Sequence, residues 1–245
     1  LQSRLTWLMM ALTVLSPVLG LVLYKPATST TMLSMYLANP AIAGGVAGAI
    51  LFGLLTIFEL DRACRSRVDI LTDAVVSPLT TALTRLLALL TAAVLTVGLT
   101  MLVWLPISAG LIGAVFTGAN YVLAYLLFMG LALPLGVLAA AAAYQFTRRA
   151  DLSIVLLIAF CALSLTVWAG EWQLCWLNPC VWALSDDFSN LRVFRSVAWT
   201  RLTWLAALIG IWTVSWLCIR QYGKGVFGSL ARSARRLYRP VIALA

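Results

Sequence analysis

Histidine is absent from the chain. Its absence removes His-ligated haem, His-containing zinc sites, Ser/His dyads inside a membrane and every proton relay built on imidazole. Charge is scarce as well: 10% of 245 residues, with 8 acidic side chains against 17 basic ones. A soluble globular domain carries about 25% charged residues, so a water-soluble enzyme is excluded. Five cysteines are too few for a disulfide scaffold of this length, and the apolar content is too high for a disordered chain. A phosphate-cradling loop is missing too. The pair Gly223-Lys224 is followed by Gly225 and has neither the upstream glycine nor the Ser or Thr the motif needs. No catalytic residue, metal site or cofactor is expected on this chain, and it is not expected to hydrolyse ATP by itself.

What is abundant is apolar surface, at 63% of residues and a mean hydropathy of +1.01. An all-α integral membrane protein follows. About 20 apolar residues span the hydrocarbon, and the charges divide the chain into six such stretches. They run about Leu5 to Tyr24, Asn39 to Phe58, Leu86 to Leu105, Leu111 to Tyr144, Leu152 to Gly170 and Leu202 to Ile219, none with a charge inside. The fourth is long and holds Pro134 and Gly136, and it reads as one long or broken span because splitting it would spoil the charge bias. With six spans, thirteen basic residues lie on one side, against Lys25, Arg192, Arg195 and Arg201 on the other. The positive-inside rule then puts both termini in the cytoplasm of a multi-pass plasma-membrane protein, a bacterial inner membrane being the expected setting. The same bias accounts for the net charge of +9, so no nucleic-acid partner is expected. The first stretch reads as a retained helix and not as a cleaved signal, and Leu at position 1 with an apolar restart over Val241 to Ala245 fits a longer natural chain.

Small residues repeat every four positions at Gly44 and Gly48, at Gly110, Ala114 and Gly118, and at Ala132, Gly136 and Ala140. Such spacing lets helix backbones approach closely, within one bundle or across a seam between two copies. Between the second and third spans, Glu59 to Ser77 reads as an amphipathic helix along the inner surface. Leu60, Cys64, Val68, Leu71 and Val75 mark one face, and Arg62, Arg65, Asp69 and Asp73 another. Asp61 precedes Arg65, and Arg65 precedes Asp69, by four residues each, pairs worth only ~0.3–0.5 kcal/mol. Ser77 and Pro78 form an elbow into the next helix, Ser77 as cap and Pro78 at its first position, with Arg85 following.

The order Glu59, Asp61, Arg62, a short helix ending Ile70-Leu71, the elbow Val75-Val76-Ser77-Pro78-Leu79-Thr80 and then Arg85 resembles the permease subunits of ABC-2-type exporters. The chain departs from that pattern in having Arg65-Ser66-Arg67 where the family often has Gly, and in the wording of the elbow. A second, weaker resemblance lies in Asn178-Pro179, Leu184-Ser185-Asp186-Asp187-Phe188 and Arg201-Leu202-Thr203-Trp204-Leu205. The family resemblance implies a permease domain over 1–219 and a coupling helix over about 59–77. It also implies partners: ABC ATPase subunits carrying ATP and Mg, and a second permease copy or a related permease. Glu59, Asp61, Arg62, Arg65, Arg67, Asp69, Ser77, Pro78 and Arg85 would then couple ATP hydrolysis to export. Two rival classes are an ATP-independent secondary transporter or channel, and an intramembrane lipid-modifying enzyme.

The outer segment, about 171–200, is too apolar for a free loop, and short re-entrant or interfacial helices are expected there. Trp172, Trp176, Trp182, Asp186, Asp187 and Phe188 are candidates for an outer gate. The spacing of Cys175 and Cys180 allows a local disulfide on the oxidising side. The tail, 220–245, reads as a basic amphipathic helix on the inner leaflet, drawn to anionic membrane lipids.

Overall fold

The computed structural model describes residues 4–28, 30–66 and 78–218, and the regular structure among them is helical. The basic tail, together with Arg67, Asp69 and Ser77, lies outside the described residues. Five runs are long and apolar enough to cross a membrane: Arg4–Val22, Ser34–Arg65, Thr80–Val115, Gly118–Thr147 and Leu191–Ser215. A sixth helix, Ala150–Leu165, is shorter, rising about 24 Å against a hydrocarbon core of roughly 30 Å. These dimensions suit a multi-pass membrane protein.

The first run is α1 (Arg4–Leu15) and α2 (Val18–Val22), separated at Ser16-Pro17. Proline has no amide hydrogen to continue the ladder, and the Ser16 hydroxyl turns back to donate to the carbonyl of Thr13 at 2.7 Å. A π-helical turn, Ser34–Ala38, leads without a break into α3 (Asn39–Arg65), with Pro40 in its first turn, where a missing donor does no harm. Next comes α4 (Pro78–Ile112), closed by a 3₁₀ turn over Gly113–Val115.

The expected long fourth span is a single helical run of three pieces: α5 (Gly118–Ala124), a π-helical segment Tyr125–Gly130, and α6 (Ala132–Thr147). Pro134 explains the π segment. Its nitrogen has nothing to donate to the carbonyl four residues back, Gly130, and the wider π turn ends at that residue. The short α7 (Ala150–Leu165) and long α8 (Leu191–Cys218) complete the set.

Several boundaries differ from the sequence expectation. The third run continues past Leu105 to Val115, so the fourth begins at Gly118 and not at Leu111. The fifth stretch stops at Leu165, because the chain beyond it folds back on α7: the Leu177 amide donates to the Ser164 hydroxyl at 3.1 Å, and Trp176 stacks on Phe160 with centroids 4.6 Å apart. The sixth helix starts at Leu191 and not Leu202, so Arg192, Arg195 and Arg201 lie inside it. Residues 171–190 form turns, bends and irregular backbone, not the short helices expected there.

α3 and α6 form the centre and run parallel. Phe52, Leu55 and Ile57 of α3, and Leu133, Leu135 and Val137 of α6, are fully buried. Glycine makes the approach possible: a Cβ on Gly45 would fall on the carbonyl of Phe128, and one on Gly136 on the carbonyl of Ala49. α1 packs antiparallel on α3, with Pro17 against Gly44 and Thr13 against Gly48. α4 is held to both neighbours at one end, where the Trp104 indole donates to the Val14 carbonyl at 2.9 Å and the Tyr121 hydroxyl to that of Met101 at 2.6 Å. The stripes at Gly44/Gly48 and Gly136 therefore serve packing within the chain, whereas a Cβ on Gly110 or Gly118 would meet nothing within 4 Å.

Substitution Gly136→Ala is expected to force α3 and α6 apart and to destabilise the detergent-purified protein by roughly 1–3 kcal/mol, the range for overpacking. Gly98→Ala, on a helix where the added methyl meets nothing within 4 Å, should be neutral or gain up to ~1 kcal/mol. Thermal unfolding of the two variants side by side measures the contrast.

Candidate functional site

The alternating helices give the bundle a charged end and a far end. At the charged end lie the start of α1, the last turns of α3, the start of α4 and the α6–α7 junction. Glu59, Asp61, Arg62 and Arg65 continue α3 without interruption, and Ser66 closes it. They do not begin a separate surface helix. Nothing between Phe58 and Arg65 breaks a helix, and the two ion pairs favour its extension: Arg65–Asp61 at 2.6 Å and Arg62–Glu59 at 3.6 Å. The remainder of the expected coupling helix falls within 67–77, outside the described residues.

Both arginines are largely exposed, 76% for Arg65 and 69% for Arg62, so the pairs themselves add little stability. Asp61 is different. Its carboxylate is 17% exposed and also accepts a long hydrogen bond, 3.5 Å, from the Tyr144 hydroxyl of α6. One carboxylate thus ties an exposed guanidinium to both central helices. Arg85 lies two turns into α4, half-buried, and Pro78 begins that helix.

The α6–α7 junction beside them is a two-residue turn. Arg148 takes left-handed backbone (φ 53°) to close α6, its amide donating to the Tyr144 carbonyl at 2.8 Å. The Thr147 hydroxyl bonds that of Ser153 at 2.6 Å across the turn. Asp151 sits in the first turn of α7, where a negative charge complements the helix dipole.

At the far end, residues 171–190 are pinned by polar contacts in place of helix formation. The Asp186 carboxylate accepts the amides of Met32 and Leu33, both at 2.9 Å, at the helix start leading into α3. The Ser34 hydroxyl accepts the Leu184 amide at 2.7 Å, the Thr31 hydroxyl donates to the Leu184 carbonyl at 2.6 Å, and the Thr28 amide to the Trp182 carbonyl at 2.7 Å. Fully buried Asn39 braces the connection between α2 and α3, accepting from the Ala27 amide and donating to its carbonyl.

The outer-gate candidates do not form one group. Trp176 is fully buried, whereas Trp182 and Phe188 are each 81% exposed. Asp186 is a structural acceptor, the Asp187 amide donates to the Ser185 hydroxyl, and Trp172 borders a cavity beneath the segment.

That cleft, small enough to hold about one water molecule, is lined by Trp172, Cys175, Pro179, Cys180, Ser196, Val197, Thr200 and Arg201. Cys175 and Cys180 are both free thiols, so the bond their spacing allows is not formed. The Cys175 thiol donates to the carbonyls of Trp168 and Glu171 at 2.8 and 2.9 Å, which favours its protonated form. Burial foremost, then Cys180, pushes its pKa up despite the opposing pull of Arg201.

Arg201 is the residue the sequence reading missed. The charge pattern places it in the outer, water-facing segment, yet it is fully buried and sits within an apolar helix. A signal was present: Phe194, Val197, Arg201, Leu205, Leu208, Trp212 and Ser215 recur at steps of three and four, and the stripe is the buried side of α8.

Comparisons of the chain with protein-family models, curated proteins and solved structures find no match.

A thiol with a raised pKa holds less thiolate at a given pH. Alkylation in detergent should therefore modify Cys180 well before Cys175 near neutral pH, with the Cys175 rate still climbing at pH values where an ordinary thiol has levelled off. Peptide-resolved mass spectrometry across a pH series reads both rates. Asp186→Ala, which orphans two backbone donors, is expected to destabilise the far end by ~1 kcal/mol and to speed hydrogen exchange at residues 32–35.

Proposed function

We propose that this chain is the membrane permease of an ATP-driven exporter of the ABC-2 type. In this reading it forms the translocation pathway, while separate ABC ATPase subunits bind ATP and Mg and deliver force to its charged end. A second permease, identical or related, completes the pathway, with six crossings per chain and both termini in the cytoplasm. The observation that carries the reading is Asp61, which links the exposed Arg65 to Tyr144 on α6. A push on the end of α3 passes to α6 through this carboxylate and through the glycine-mediated backbone contact further along. The resemblance over Glu59 to Arg85 supports the same assignment.

One observation favours the alternative of an ATP-independent transporter: the buried cation Arg201, since an ionisable group inside an apolar bundle often marks an ion or substrate path.

Purification in mild detergent separates the two. The exporter reading expects a P-loop ATPase to co-purify in stoichiometric amount. In the reconstituted complex, Asp61→Ala should lower substrate-stimulated ATP turnover by roughly tenfold, about 1.4 kcal/mol of coupling, with membrane insertion unchanged. Transport by the purified chain without an ATPase would overturn the reading. So would labelling of Cys64 from the periplasmic or extracellular face.

A further inference from the structure

Cys175 and Cys180 lie in a segment with no helix to hold them apart. Over five positions an extended backbone would separate them by roughly 17 Å. Both nevertheless border the one-water cleft beneath residues 171–190, so the chain between them doubles back. The two thiols differ in access. Cys180 is half-buried and within reach of a solute, whereas Cys175 is buried.

Freeing the Cys175 sulfur costs little. Its thiol donates to the carbonyls of Trp168 and Glu171 at 2.8 and 2.9 Å, but neither oxygen depends on it. The Trp168 carbonyl also accepts the Glu171 amide at 3.0 Å, and that of Glu171 accepts the amides of Leu174 and Cys175 at 2.9 and 3.1 Å. A rotation of the Cys175 side chain therefore leaves both carbonyls paired. The cleft alongside has room for about one water, the space that a turned sulfur takes up. Arg201 borders the same cleft, and its positive charge favours the Cys175 thiolate, the form that attacks a disulfide.

We propose that Cys175 and Cys180 are a redox-switchable dithiol. Reduced, Cys175 ties residues 171–190 to the turn that follows α7; oxidised, it is bonded to Cys180 and that tie is released. The oxidant is a small disulfide. The Cys180 thiolate attacks one of its sulfurs, which forms a mixed disulfide and expels one small thiolate. The Cys175 thiolate then attacks the Cys180 sulfur, closes the internal bond and expels the second. Two cysteine thiols are oxidised, the reagent is reduced to two thiols, and the two cysteine protons pass to those thiols. The redox state thus sets how firmly the cover over the ends of α7 and α8 is held. The proposal does not depend on the transport reading.

The test treats the purified chain in maltoside detergent with oxidised glutathione, blocks the remaining thiols and maps the peptides by mass spectrometry. The expected product is a Cys175–Cys180 disulfide, lighter by two hydrogens and reversed by dithiothreitol, while exposed Cys64 at the opposite end stops at its glutathione adduct. Cys175→Ser should halt Cys180 at the adduct as well, and Cys180→Ser should leave Cys175 unmodified. Hydrogen exchange then compares the two states of the unaltered chain, and the amides of residues 171–175 are expected to exchange severalfold faster after oxidation.

Three results overturn the proposal: a glutathione adduct on Cys180 that persists in the unaltered chain, bonds to Cys64 as frequent as the Cys175–Cys180 bond, or equal exchange in the two states. Should either serine variant fail to accumulate, the unaltered chain decides through the same readouts.

Discussion

The close approach of α3 to α6 is the constraint on which the rest of the bundle depends. Lipid tails are as apolar as leucine, so helices in a membrane gain little by hiding apolar faces from them, and contact must come from fit. Gly45 against the Phe128 backbone and Gly136 against that of Ala49 bring two main chains together where any side chain would hold them apart. With that spacing set, α1 settles on the Gly44/Gly48 face of α3, and α8 packs along α6 through Phe194, Val197, Leu208 and Trp212. Tyr144 is brought within hydrogen-bond reach of Asp61 by the same register.

The two ends use polar groups differently. At the charged end, the Arg62 and Arg65 side chains stand out into solvent, while the Asp61 carboxylate turns inward. At the far end the backbone itself is the difficulty: residues 171–190 carry no helix, so their amides and carbonyls need partners from elsewhere. Ser34, Thr31, Ser164 and Asn190 supply them, each a small polar side chain on a neighbouring element or within the segment, and Asp186 in return accepts the amides of Met32 and Leu33. Trp204 and Trp176 add indole donors to the carbonyls of Gln173 and Phe160. The segment is thereby a fixed cover over the ends of α7 and α8, and Arg201 lies directly beneath it, reaching to the Leu177 carbonyl.

Much of this architecture could be read from composition and charge spacing. The helix-only fold, the approximate extent of most apolar runs, the continuity of the fourth through Pro134 and the packing role of Gly44, Gly48 and Gly136 follow from local rules about hydropathy and small residues. The misplacements arose where charge was used as a boundary marker. Arg192, Arg195 and Arg201 suggested a water-facing segment ending at Leu202, because a charged residue in an apolar helix is expensive; two of the three are exposed within α8, and the third is held by carbonyl oxygens that no sequence rule could assign to it. Glu59 to Arg65 suggested a new helix because the charge density changed there, although nothing in those residues interrupts hydrogen bonding along α3.

The sequence by itself determined that the chain is apolar, helical and asymmetric in charge, since these properties depend on counts and on spacings of three, four and about twenty residues. Only the tertiary structure decided which glycines touch a neighbouring backbone, that Asp61 meets Tyr144 83 residues away, and that Arg201 is enclosed with two nitrogens unmatched. The physical reason is range. Hydropathy acts through solvent and is felt residue by residue, whereas a hydrogen bond or a backbone contact needs two specific atoms within a few ångströms, and their meeting depends on every helix between them.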